Sequence, residues 1–201
     1  VKDSFKRLGK TFAELAKEKH VFVFLLAFFF YIDGVYTVID MATAYGQALG
    51  LDSTGLLLAL LVTQIVAFPS VLTFGRIVKK VSPEKIITVC IMAYFGIAVY
   101  AYWLDTQLDF WILAVLVGMF QGTIQALSRS YFAKIIPAEK SGEYFGIYDI
   151  CGKGASVIGT ALVSFISQMT GSINIAVSAL SVMFLIGLIL FRYSAKLNCM
   201  Q

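Results

Sequence analysis

Six separate runs of predominantly apolar residues leave this chain few folds to choose from. A helix needs roughly 20 such residues to cross about 30 Å of hydrocarbon. Only helices and closed barrels satisfy their own backbone polar groups in that setting. The runs fall near 21–45, 54–75, 86–104, 110–131, 143–167 and 173–191, and short polar breaks separate them: "GQALGLDS", "RIVKKVSPEK", "DTQLD", "FAKIIPAEKSG" and "QMTGS". The chain is 59% hydrophobic and 14% charged, against about 25% charged in a typical soluble domain, and its mean hydropathy is +0.84. The expectation is an all-α integral membrane protein: a six-transmembrane-helix bundle over 20–198 behind a basic linker over 1–19.

The charges sort by side. Lys2, Lys6, Arg7, Lys10, Lys17 and Lys19 precede the first run; Arg76, Lys79, Lys80 and Lys85 occupy the second break, Lys134 and Lys140 the fourth, and Arg192 and Lys196 the tail. The first, third and fifth breaks carry no Lys or Arg. Positive residues mark the cytoplasmic side, so both termini are expected inside. The net charge of +4 then reports topology and not nucleic-acid binding. Phe5, Leu8, Phe12 and Leu15 recur at helical spacing against Lys6, Arg7, Lys10 and Lys17. That pattern suits either an amphipathic helix on the inner leaflet or a solvated linker. Val1 reads as an internal start.

Polarity differs among the runs. The third and sixth hold no ionisable acid or base before their ends and are expected to face lipid. In the first, Asp33, Tyr36, Thr37 and Asp40 follow i, i+3, i+4, i+7 and share a helix face. Gln121, Gln125 and Arg129 form a stripe on the fourth run; Gly146, Asp149, Lys153, Ser156 and Thr160 form one on the fifth. A charge near the bilayer centre costs at least roughly 2.5–3.5 kcal/mol, so such residues face a partner or a wet cavity. Other readings stay open. Arg129 lies near the end of its run and can snorkel to headgroups. Asp149 and Lys153, spaced i, i+4, fit a structural ion pair as well as a transport role. Asp40 fits the solvated interface. Asp33, a dozen residues into its run, is the hardest to explain structurally.

Gly118 and Gly122 form GxxxG in the fourth run, a spacing that permits close helix approach, and Pro69 predicts a kink in the second. Two three-helix halves, each crossing an odd number of times, run inverted relative to each other, the architecture of secondary transporters.

The order of features resembles the C-terminal six helices of a major facilitator superfamily transporter. "FGRIVKKVSPEK" is similar to the superfamily's basic loop G-x-x-x-D-R/K-x-G-R/K-R/K: Gly75, Arg76, Lys79 and Lys80 align, while its Asp and second Gly are absent. "IIPAEKSGEYFGIY" resembles the P-x-E-x-x-G-x-x-F-G segment through Pro137, Glu139 and Gly142. "FYIDGVYTVIDMATAYG" and "GMFQGTIQALSRSYFAKIIPAEKSGEYFG" look like the vacuole-effluxer-like family, whose fungal members are associated with amino-acid efflux. The resemblance implies one half of a twelve-helix fold with a 3+3 inverted repeat. It implies a pathway lined by the first, second and fourth helices, and a cytoplasmic gate at Gly75, Arg76, Lys79, Lys80, Pro137, Glu139 and Gly142.

The function expected is secondary active transport of a small polar solute, with an amino acid as candidate, by alternating access. The pathway residues expected are Asp33, Tyr36, Thr37, Asp40, Gln121, Gln125, Arg129, Asp149 and Lys153. No phosphate-binding G-x-x-x-x-G-K-S/T loop is present, so the energy source would be an ion gradient. Three cysteines without CxxC and a single histidine suggest no metal site, and no cofactor is implied. His20, at a membrane edge, is poorly placed to activate a serine, so no enzyme is expected. The partners expected are the bilayer, the solute, and a missing N-terminal half or a second copy. The alternatives are a non-transporting scaffold or receptor half, and a self-contained six-span protein that dimerises.

Overall fold

A computed structural model describes residues 11–12 and 14–198. Most of the expected linker over 1–19 lies outside the described residues. The chain forms α1 (Lys19–Asp40), α2 (Ala42–Ala48), α3 (Ser53–Ile77), α4 (Pro83–Tyr100), α5 (Gln107–Ile135), α6 (Ser141–Thr170), α7 (Ile173–Ser178) and α8 (Leu180–Asn198). Short 3-10 turns extend α4 over Ala101–Trp103 and precede α6 over Ala138–Lys140. Among the described residues there are six stretches long and apolar enough to cross a membrane, α7 and α8 together making the last, and no strand.

Local chemistry sets the ends. Asp52 Oδ2 accepts the Gly55 N–H at 2.8 Å and starts α3. Thr106 and Asp109 form a reciprocal capping box that starts α5, satisfying two N–H groups that a helix end leaves unpaired. Gly171 ends α6 at φ 67, a left-handed angle that glycine adopts without steric cost. The first apolar run divides at Met41 (φ −94, ψ 0), where α1 gives way to α2. Pro69 lies inside α3, which continues as one helix to Ile77.

Two seams organise the bundle, α1 along α8 and α3 along α5. Both rely on glycine for close approach. A Cβ at Gly118 would lie 2.6 Å from the Thr63 carbonyl, and one at Gly187 would lie 2.9 Å from Tyr31 Cβ. Thr63 adds a hydroxyl hydrogen bond to the Ala114 carbonyl at 3.2 Å. At the Lys/Arg-rich end, aromatic rings tie α1 to α5 and α6: Phe24 stacks on Phe132 at 5.7 Å, and Phe28 on Tyr148 at 4.1 Å. Tyr31 Oη and Ser128 Oγ share a buried hydrogen bond of 2.7 Å.

The helix ends alternate as six crossings require. At one end Ser194 Oγ donates to the His20 carbonyl at 2.7 Å, which brings the start of α1 beside the finish of α8. At the other, Tyr45 Oη donates to the Ala101 carbonyl at 2.7 Å, and Asn174 Nδ2 donates to the Leu104 carbonyl at 3.0 Å.

Burial within this chain is uneven among the spans. The apolar stretch of α1 is 61% buried, that of α4 44%, and those of α3 and α6 22% each. The reason is packing: α4 and α8 lie against each other as well as against α5 and α1, whereas α3 has α5 as its one extensive neighbour. Leu57, Leu61, Ile65 and Phe68 of α3, and Val157, Phe165 and Met169 of α6, are left exposed.

Candidate functional site

An open cleft of about 410 Å³ lies between α1, α5 and α6. Each helix contributes one face. From α1 come Phe28, Ile32 and Tyr36, and from α5 Gly122, Gln125, Ala126 and Arg129; α6 supplies Tyr148, Asp149, Gly152 and Lys153. Of the residues singled out in sequence, Tyr36, Gln125, Arg129, Asp149 and Lys153 share this cleft. Phe28, Ile32, Tyr148 and Gly152 were missed, although Phe28 and Ile32 continue the Tyr36 face backwards at i−8 and i−4.

Arg129 Nη1 donates to Asp149 Oδ1 at 3.0 Å. This pairing between helices replaces the Asp149–Lys153 pair that i, i+4 spacing suggests. Both side chains are about half exposed, 56% for Arg129 and 47% for Asp149, so solvent screens the pair strongly. The Arg129 guanidinium also lies 4.9 Å from the centre of the Phe145 ring, within cation–π range. Lys153 is exposed and makes no ion pair among the described residues. The cleft thus carries an internally paired Arg/Asp and, among the described residues, one cation without an ion pair, above an apolar, aromatic floor.

Asp33 sits elsewhere. It is fully buried between α1 and α6, outside the cleft lining. Its Oδ1 accepts the Gly159 N–H of α6 at 2.8 Å and the Thr37 hydroxyl at 3.5 Å, while Oδ2 has no hydrogen-bond partner among the described residues. Gly159 is required here. A Cβ on it would collide with Thr37 Oγ1 and stand 2.6 Å from Asp33 Oδ1.

The remaining residues divide among other environments, because α1 and α5 are each packed on several sides. Thr37 is buried with Asp33, and Asp40 is exposed at the end of α1. Gln121 is buried and turned to α3, its Nε2 donating to Gln64 Oε1 at 3.3 Å. Gly75, Arg76, Lys79, Lys80, Pro137, Glu139 and Gly142 are all exposed. No hydrogen bond or ion pair joins the basic loop to Glu139 among the described residues. Instead, the segment between α5 and α6 is met by the residues ahead of α1: Lys140 Nζ pairs with Glu14 Oε2 at 2.6 Å, and the Thr11 hydroxyl donates to Glu143 Oε2 at 2.7 Å. No group of three or more His, Cys, Asp or Glu among the described residues could hold a metal ion.

Comparison with known proteins agrees with this architecture. The family described as vacuole effluxer Atg22 like matches residues 1–198. The uncharacterized MFS-type transporter YxiO of Bacillus subtilis is 47% identical over 191 residues, covering 95% of this chain and 45% of that protein. Autophagy-related protein 22 of Candida glabrata is 24% identical over 204 residues, covering 96% of this chain and 38% of that protein. Autophagy-related protein 22 of Saccharomyces cerevisiae (strain S288c) is 25% identical over 179 residues, covering 83% and 34%. The chain therefore spans less than half the length of these curated relatives.

Proposed function

We propose a transport function from one premise: the chain belongs to the vacuole effluxer Atg22-like family. It is an integral, multi-pass membrane protein with six spanning helices. On this reading the chain is one half of a secondary transporter, and the α1/α5/α6 cleft is its share of the solute pathway. The solute is a small zwitterion, with an amino acid as the candidate. Both termini are cytoplasmic, following the Lys/Arg asymmetry.

One observation carries the reading: an exposed Arg129–Asp149 pair in an open cleft, beside a Lys153 that makes no ion pair among the described residues. A zwitterion brings both charges that such a wall can exchange. Its carboxylate replaces Asp149 on the Arg129 fork, with Lys153 as second donor, and its ammonium takes the freed Asp149. Arginine suits the first role because its planar fork binds a carboxylate through two donors. The exchange trades one ion pair for two, so it avoids leaving a bare charge at membrane depth. Tyr36 and Gln125 supply neutral hydrogen-bonding groups, and Phe28 and Tyr148 the apolar floor. Asp33, buried between α1 and α6 and without an ion pair among the described residues, is the candidate proton or cation site. Rocking of this bundle against the other half gives alternating access, with the exposed faces of α3 and α6 as the natural contact.

The test is counterflow in proteoliposomes holding the full-length protein, with a panel of radiolabelled zwitterionic amino acids and with sugars as controls. Arg129→Lys keeps the charge and loses the fork, and uptake is expected to fall at least about tenfold, the worth of roughly 1.4 kcal/mol. Equal uptake of sugars, or unchanged kinetics in Arg129→Lys, would remove the zwitterion reading.

A further inference from the structure

A second open groove, of about 590 Å³, shares no lining residue with the cleft and lies where the start of α4 meets the finish of α8. Lys85, Arg192 and Lys196 line it together with Ser82, Thr88 and Glu84. The three cations are exposed, and none makes a hydrogen bond or ion pair with the protein among the described residues. Glu84 offsets one of them and leaves the groove net positive. Ser82 caps α4 without a side-chain capping bond, at a helix terminus where the backbone dipole adds further positive character. The groove is at the same end as the start of α1, because Ser194, between Arg192 and Lys196, binds the His20 carbonyl.

The surface below the groove differs in kind. Four and seven residues after Lys85, and three and seven before Arg192, each helix turns apolar on the same face: Val89 and Met92 of α4 are 52% and 56% exposed, and Ile189 and Leu185 of α8 are 61% and 46% exposed. Helical spacing places these side chains in line with the cations above them. A cationic mouth that opens onto an apolar stripe parallel to two membrane helices has the shape of a phospholipid: phosphate at the top, acyl chains beneath. Basic pockets between spanning helices on the cytoplasmic side are suited to anionic headgroups.

We infer that the α4/α8 groove is a binding site for an anionic phospholipid of the leaflet at the Lys/Arg-rich face, its phosphate held by Lys85, Arg192 and Lys196. The site is independent of the solute cleft and does not rest on the transport reading. Detergent-solubilised full-length protein, titrated with dioleoyl phosphatidylglycerol or dioleoyl phosphatidylcholine and read by native mass spectrometry, tests it. Phosphatidylglycerol is expected to bind about tenfold or more tightly than phosphatidylcholine. The Lys85→Gln/Arg192→Gln/Lys196→Gln variant is expected to lose that preference, whereas Lys79→Gln/Lys80→Gln, in the neighbouring basic loop, keeps it. All five side chains are exposed, and unchanged thermal unfolding in phosphatidylcholine confirms that each variant is folded. Soluble glycerol phosphate, which has the anion without the chains, is expected not to compete. A preference that survives the triple substitution, equal binding of the two lipids, or full competition by glycerol phosphate would overturn the assignment.

Discussion

Asp33 and Asp149 are both carboxylates in membrane-spanning helices, yet their surroundings are opposite. Asp149 opens to a cleft and has a guanidinium 3.0 Å away. Asp33 is sealed between α1 and α6, where a backbone N–H and a threonine hydroxyl are its only hydrogen-bond donors among the described residues. A countercharge in partly wet surroundings is adjustable, since water can replace either partner. A carboxylate held by backbone is not adjustable, because its donor moves only if the helix moves. The contrast separates a group that can trade partners with a solute from one that registers the position of α6 against α1.

The largest effect is expected where that registration is tightest. Gly159→Ala forces a methyl group onto Thr37 and Asp33 and should cost roughly 1–3 kcal/mol, the range for overpacking a close contact. Thermal unfolding of the full-length protein in detergent measures it, and Thr37→Ala in the same chain should recover part of the loss through non-additivity. An unperturbed melting curve for Gly159→Ala would mean that the clasp has slack, and the contrast with Asp149 would weaken. A smaller change, about 1 kcal/mol, is expected from Asp33→Asn, which retains an acceptor for the Gly159 N–H. That variant should fold yet transport poorly if the ionisable group is needed; normal uptake would reduce Asp33 to a structural acceptor. Smallest is Asp149→Asn. For an exposed pair the loss is about 0–1 kcal/mol, and it should shrink as salt is added. A large, salt-independent loss would show that Asp149 is as firmly built in as Asp33.

The six crossings are legible in the sequence because an apolar run of this length has one common solution in a membrane. The seams are not, since hydropathy carries no information that α3 lies on α5 or α1 on α8. Spacing along one helix suggests Lys153 as the partner of Asp149, but Arg129 approaches from α5, and distances between helices follow from packing that no single-helix pattern encodes. The same limit explains α1. Asp33, Tyr36, Thr37 and Asp40 form one stripe on a helical wheel, but α1 is surrounded by α5, α6 and α8, so residues only 100° apart meet different neighbours. Tyr36 turns to the cleft, Asp33 and Thr37 to α6, and Asp40 to the surface.

The distance along the chain between Asp33 and its donor bears on how the protein is made. Gly159 follows Asp33 by 126 residues, which is roughly 6–25 s of synthesis at about 5–20 residues per second. Throughout that interval α1 has emerged while the helix that accommodates its acid does not yet exist. An isolated ionised carboxyl group in lipid costs at least roughly 2.5–3.5 kcal/mol, so during that interval a wet or protein-lined place, or a proton, is favoured for it. The donor that holds this acid in the finished fold therefore arrives only with α6, and until then water, protein or a proton must stand in for it.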